Sequence, residues 1–333
     1  MKNCLLGIAA VSFSFSASAK DVVKIVAGSC MQQASPKPAL VSMAGENPDI
    51  TLLMGDNIYA DTTDPNLMRK EYQTLVADKA FLTLKAKAPI LATWDDHDFS
   101  TDDSNTTNPI KDASKKLFLE FLGDGPKDPR NSHDGVYSSR TIGEGKKTIH
   151  VIMLDTRYNL NTRTGKNPPP EKVQTKVGQQ ILGEAQWKWF ENELQTPAAL
   201  KIIVSSVQVF SNFHKYERWS VLPEELIRLK TLLSKQKGTG KNIIFLSGDR
   251  HFGEIAKYSL GTDSYFEMTS SNLNLEGRGD LPKESNPFVL TKLAGPQYGV
   301  LDLNWGVDTV SVNLSLKSAD GQTKGSQKIE FKY

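Results

Sequence analysis

The chain has 333 residues, of which 38% are hydrophobic and 23% charged, and its formal net charge is +2. That balance sets aside intrinsic disorder, and no Lys/Arg run interleaved with aromatics points to a nucleic-acid or membrane-surface scaffold. The length suits one large α/β domain or two modest ones.

The opening residues, MKNCLLGIAAVSFSFSASAKD, read as a secretory signal. Lys2 supplies a positive n-region, Leu5 to Phe15 an apolar core, and Ala17-Ser18-Ala19 a small-residue cleavage site, so that the mature chain begins at Lys20. The apolar run is too short to span a bilayer comfortably, and no later run is long enough. The expectation is an exported protein, periplasmic or secreted, with residues 1–19 as signal peptide and 20–333 as a single catalytic domain. Cys4 does not close an L-x-x-C lipobox and leaves with the signal. Cys30 then has no disulfide partner in its own chain, so it is either buried and inert or engaged in chemistry.

Short apolar, β-branched runs follow at intervals: VVKIVAGSC (22–30), DITLLMGDN (49–57), APILATWDDH (88–97), TIHVIMLDTR (148–157), LKIIVSSVQ (200–208) and KNIIFLSGDRH (241–251). Each reads as a strand buried on both faces. Helical patterns fall between them at 65–87, 110–122, 184–195 and 222–235. This alternation predicts an α/β fold. From about Phe252 the period changes to two, in FGEIAKYSL, SYFEMTSS, YGVLDLNW, DTVSVNLSL and SQKIEFKY, which predicts half-exposed antiparallel strands. Two stacked sheets flanked by helices accommodate both textures. The segments 159–180 and 271–297 read as long loops, either substrate-facing or plain surface excursions.

The strand ends carry the chemistry. One ends in Gly28-Ser29-Cys30, the next in Gly55-Asp56-Asn57-Ile58-Tyr59, a third in Asp95-Asp96-His97-Asp98, and a later one in Gly248-Asp249-Arg250-His251. In α/β sheets the loops after carboxyl strand ends gather at one edge, where ligands bind. A bare run such as DDHD is costly through repulsion and desolvation, and a polyvalent cation removes both objections while holding a thiol as thiolate. Taken singly, each residue has a plainer reading. Gly-Asp is a common turn, Cys30 a small buried hydrophobe, Asp95 and Asp98 caps, and His251 a satisfied core histidine. Four such sites on four strand ends argue for one shared metal site.

The set GSC, MGDNIYAD, TWDDHDF, LDTR and SGDRHFGE resembles the alkaline phosphatase D family, the PhoD-like branch of the calcineurin-like metallophosphatases. Softer matches occur at LGEAQWKWF (182–190), SSVQVF (205–210) and EMTSSNLN (267–274). The resemblance implies a four-layer sandwich, with two central mixed β-sheets flanked by α-helices. It also implies a multinuclear metal centre that hydrolyses phosphate esters, often diesters, outside the cytoplasm. Carried onto this chain, it makes Cys30, Tyr59 and His251 ligands of a ferric-type ion, and Asp56 the bridge to a second metal. Asp249 and Asp96 would serve that second metal, which in relatives can be calcium; zinc, manganese or magnesium are the alternatives. Where relatives carry an asparagine after the DDHD run, this chain has Asp102, whose extra charge bears on the cation preferred.

The mechanism expected is in-line attack by metal-activated hydroxide on phosphorus. His97 would donate a proton to the leaving group or orient a ligand. Arg157 would bind a phosphate oxygen or form a structural salt bridge with Asp155 or another carboxylate. Phe210, Phe213, His214, Tyr216 and Trp219 are candidates for a leaving-group pocket or for core. A monomer acting on a phosphate ester, with no nucleic-acid partner, is the expected form. Two other functions stay open: a metal-free hydrolase with Cys30 as nucleophile and His97 or His251 as base, and an exported phosphate- or metal-binding protein without turnover.

Overall fold

A computed structural model describes residues 23–161, 178–275, 281 and 286–333. The expected signal peptide and parts of both long loops lie outside the described residues. The six predicted apolar runs are all strands: β1 (Lys24–Gly28), β2 (Ile50–Met54), β3 (Ile90–Thr93), β5 (Lys147–Met153), β6 (Leu200–Ser205) and β7 (Ile243–Ser247). The C-terminal alternation gives β8 (Gly253–Leu260), β9 (Asp263–Ser270), β11 (Gln297–Trp305), β12 (Thr309–Ser318) and β13 (Thr323–Lys332). Two short strands carried no periodic signal, β4 (Ser138–Glu144) and β10 (Val289–Leu293).

Two mixed sheets result, in the orders β13-β12-β11-β1-β2-β3 and β10-β8-β9-β7-β6-β5-β4. β1, β2 and β3 run parallel, as do β5, β6 and β7, so their carboxyl ends lie at one edge of each sheet. The C-terminal strands do not form a sheet of their own. β11 pairs antiparallel with β1, Val26 opposite Val300, and so completes the sheet that the N-terminus begins.

Ile25, Ala27, Leu52 and Met54 point inward from the first sheet to meet Val151, Ile202, Val204 and Leu246 of the second. On the outer face of the first sheet pack α1 (Pro38–Gly45), α2 (Pro65–Val76), α3 (Lys79–Lys87) and α5 (Lys111–Leu122), with the single-turn α4 (Asp96–Phe99) following β3. On the second pack α6 (Gly183–Glu193) and α7 (Pro223–Ser234), through Trp187, Phe190, Leu229 and Leu233. The four layers are those expected. The single helix expected over 65–87 is two. Asp78 accepts the N–H groups of Ala80 and Phe81, at 2.8 and 3.1 Å, and so caps a new helix where the first one ends. No helix among the described residues is long and apolar enough to cross a membrane.

Candidate metal centre

Backbone hydrogen bonds draw the strand ends together. Cys30 N–H donates to Gly55 O at 3.3 Å, Met31 N–H to Asp56 O at 2.8 Å, and Gly248 N–H to Ser206 O at 2.9 Å. The glycines make that approach possible. A Cβ on Gly55, whose φ is +105°, would lie 2.7 Å from Asp95 Cβ, and one on Gly248 would lie 2.6 Å from Ser29 Oγ. The turns place Cys30, Asp56, Asp249 and His251 in the left-handed region, with φ of 60°, 49°, 64° and 57°. Such a conformation costs a non-glycine residue on the order of 1–3 kcal/mol and persists only where the surroundings impose it. Its recurrence at four strand-end side chains marks the site as a built one.

Four groups of donor atoms lie within 4.8 Å of one another: Cys30–Asp56–His251, Asp56–Asp96–His97, Asp95–Asp96–Asp249, and Asp96–Asp103–Glu217. Asp56 and Asp96 link them into one cluster. Cys30 Sγ lies 3.3 Å from Asp56 Oδ2, and Tyr59 OH lies 3.4 Å from the same oxygen and 3.0 Å from His251 Nε2. The phenol therefore joins the thiol side. Ser271 Oγ, 3.0 Å from the sulfur and 2.7 Å from the His251 N–H, fastens that side to the end of β9.

The arrangement fits cations. Asp56 Oδ1, Asp95 Oδ2 and Asp96 Oδ1 are buried and accept no hydrogen bond, a costly state for carboxylate oxygens unless a positive charge compensates them. Burial, then the nearby Asp96 and other carboxylates, pushes Asp56 well up from the usual carboxylate range, while His97 pulls the other way. Asp249 is raised to about 7 by burial and by Asp95 and Asp96. The Cys30 thiol and the Tyr59 phenol are both pushed well up, by burial first and then by neighbouring negative charge. A bound cation reverses each of these effects.

Arg157 is fully buried. Its guanidinium donates to Asp95 and, through both terminal nitrogens, to Glu217, with Asp96 Oδ1 at 3.5 Å. The structural salt bridge is therefore the arrangement found, with Asp95 and Glu217 as partners rather than Asp155. Asp155 instead accepts backbone N–H groups of Arg157, Tyr158 and Val136. His97 packs against Tyr59 with ring centroids 4.2 Å apart and the planes tilted by 37°, and its Nδ1 lies 2.6 Å from Asp61 Oδ1. Burial opposes its charging, but Asp56, the bond to Asp61 and Asp96 outweigh burial and lift the imidazole to about 11.

Asp102 is exposed and belongs to none of the four groups, whereas its neighbour Asp103 does. Asp103 N–H also donates to Asp96 Oδ2 at 2.7 Å. Asp98 caps the turn, accepting from Asp95 N–H at 2.6 Å and Asn57 N–H at 3.1 Å, and so locks the Asp56 loop to the Asp95 loop. Of the aromatic candidates, Trp219 is core, its indole donating to Ser205 Oγ, and Phe210 packs on Phe245. Glu217 and Asp103 carried no strand-end signal, whereas Ser271 closes the predicted strand SYFEMTSS without a residue type that marks it for the site. Glu217 lies on an irregular loop, and only the tertiary fold brings it to Arg157, 60 residues away in sequence.

Fold and cluster define the class: a two-sheet α/β sandwich with a cation-type ligand cluster at the carboxyl ends of its parallel strands. The chain belongs to the PhoD-like phosphatase family, whose model matches residues 25–284. Among solved structures it is similar to PhoD, with a TM-score of 0.73 and 17% identity over 92% of this chain and 71% of that one. It is also similar to GAP50, described as the anchor in the inner membrane complex of Plasmodium, with a TM-score of 0.58 and 12% identity over 93% and 89% of the two chains. No curated protein sequence matches the chain. At these identities the structures speak for the fold; family membership supports a phosphoesterase.

Proposed function

We propose that the chain is an exported, metal-dependent phosphoesterase that prefers phosphate diesters and uses the strand-end cluster as its reaction centre. The observation that carries this reading is the trio of buried carboxylate oxygens on Asp56, Asp95 and Asp96 that accept no hydrogen bond. Cys30, Tyr59, His251 and Asp56 would hold one cation, and a thiolate, phenolate and imidazole set suits Fe(III). Asp56, Asp96 and Asp249 would hold a second, with Asp103 and Glu217 closing the oxygen-rich side in the place given to Asp102 on the sequence, a set that suits Ca²⁺. When bound, such a pair supplies charge neutralisation at phosphorus and a water acidic enough to attack near neutral pH.

The chain's own residues do the rest. His97, with Nδ1 engaged by Asp61, has Nε2 to deliver a proton to the leaving alkoxide. Arg157, its fork taken by Glu217 and Asp95, acts as a positioning residue that keeps two carboxylates aimed at the cluster. The test is hydrolysis of bis(p-nitrophenyl) phosphate against p-nitrophenyl phosphate, before and after chelation. Diester turnover that chelator stops and added iron and calcium restore is the expected result. Turnover that ignores chelator but stops on thiol alkylation would transfer the function to Cys30 as nucleophile. Tight phosphate binding without turnover of either ester would make the chain a binding protein.

A further inference from the structure

A second constellation adjoins the cluster and takes no part in holding it. His214 lies on the loop between β6 and α7 and is only 5% exposed. Its Nδ1 accepts the Tyr216 backbone N–H at 3.2 Å, which leaves the ring proton on Nε2, and Nε2 is buried without a hydrogen-bond partner. Burial, then the charges of Arg250, Arg218 and Lys292, pushes the imidazole down to about 2, so that it stands as a neutral donor at any physiological pH. The Arg250 guanidinium sits 4.6 Å from the ring centre of Tyr216 and 5.2 Å from that of Phe252, and Lys292 Nζ lies 5.6 Å from the same Phe252 ring. Arg218 is steered by Ser220 Oγ at 2.8 Å and Tyr216 O at 2.7 Å. Glu254 lies 3.6 Å from Lys292 Nζ, and the Asp249 carboxyl feels the Arg250 charge. Tyr216, 48% exposed, forms the solvent-side wall.

The buried His214 N–H lacks an acceptor, and Tyr216 and Phe252 gather Arg218, Arg250 and Lys292 around the same loop, so a negatively charged oxygen is the acceptor this surrounding favours. Arg250 stands between Asp249 and His251, one residue from each side of the cluster. The Arg250 charge reaches the Asp249 carboxyl, so an anion held here would lie on the Arg250 side of the cluster.

We propose that His214, Arg218, Arg250 and Lys292 form an anion subsite beside the reaction centre, which takes a second phosphate group carried by the ester substrate. The inference rests on the phosphoesterase reading and narrows its substrate class to diesters that also bear a phosphomonoester. Inorganic phosphate titrated into the full chain, metal-loaded and then chelated, tests the subsite directly. We expect one phosphate that survives chelation, weakened about tenfold or more in His214→Gln and in Lys292→Gln, the loss of one charge-assisted hydrogen bond. Lys292 is the second variant because it is the less buried of the two. On the metal-loaded chain, a diester with an added phosphomonoester should show a KM about tenfold below that of the same diester without it, a difference that Lys292→Gln removes. Absence of chelator-resistant phosphate, equal affinity in both variants, or equal KM for the two diesters would overturn the proposal. Chelator-resistant phosphate with no turnover of either diester would overturn the phosphoesterase reading and the substrate role together, and leave the subsite to free phosphate.

Discussion

The two sides of the cluster solve the same electrostatic problem differently. On the side of Asp95, Asp96 and Glu217 the protein supplies its own cation, since Arg157 is buried against all three carboxylates. On the side of Cys30, Asp56 and Tyr59 the nearest positive group is His97, and the thiol, carboxyl and phenol are all pushed toward their neutral forms. Left-handed backbone occurs on both sides, at Cys30, Asp56 and His251 on the thiol side and at Asp103 and Asp249 on the other. Arg157 meets only part of the cost on its own side, where it holds Asp96 down while burial still pushes Asp95 and Glu217 up; on the thiol side burial and like charge push all three groups up together. That difference marks where a tightly held ion belongs.

The largest expected effect tests the Arg157 side. Arg157→Met would leave Asp95 and Glu217 buried without their guanidinium, and should cost about 3–5 kcal/mol of unfolding free energy with or without metal. Denaturant unfolding in both states measures it, and a loss confined to the metal-loaded state would erase the contrast. Asp56→Asn probes the other side and should act in opposite directions on stability and activity. Removing a buried carboxylate that lacks a cation should raise the stability of the chelated chain by on the order of 1 kcal/mol, while activity falls more than the roughly 10–100-fold typical of an outer hydrogen-bond partner. A chelated variant less stable than the parent would mean that Asp56 is satisfied without metal.

Asp61→Asn should give a smaller change, about tenfold in kcat with little change in KM, because it loosens His97 without touching a candidate ligand. A rise in KM with kcat preserved would assign His97 to binding instead. The last effect is a slope. Glu267, outside both sides, is raised to about 7 by burial, against the pull of the Val209 and Phe210 N–H groups. The folded chain then holds a proton that the unfolded chain releases near pH 4.5. This contribution is fully present below that pH and is lost as the pH rises through about 7, by at most about 1.4 kcal/mol per pH unit. Glu267→Gln should flatten that part of the stability profile equally with and without chelator. Flattening seen only in the loaded protein would tie Glu267 to the cluster.

Much of this contrast was legible in the sequence. The apolar runs that end in GSC, GDN, DDHD and GDRH announced both the buried strands and the residues at their ends, because strand burial and strand-end loops leave local signatures. Cys30, Asp56, Tyr59, Asp96, Asp249 and His251 come together as their positions suggested. What was not legible depends on long-range contact. Nothing local to KYERW shows that Glu217 meets Arg157, and nothing in TDD separates the exposed Asp102 from Asp103, whose N–H holds Asp96. The return of β11 to β1 is likewise a pairing across the whole chain. The largely polar, half-exposed β4 offers no apolar run, and the five-residue β10 is too short for a periodic pattern to stand out.

The most direct measurement is elemental analysis of the full chain purified without chelator, alongside Asp56→Asn and Cys30→Ser. The expected result is a tightly held transition metal at about one per chain, iron for this donor set, with calcium as the more readily exchanged partner. Cys30→Ser should lose the first ion and Asp56→Asn both. A chain that binds no metal after exposure to iron and calcium, with its activity intact, would contradict the metal-dependent reading.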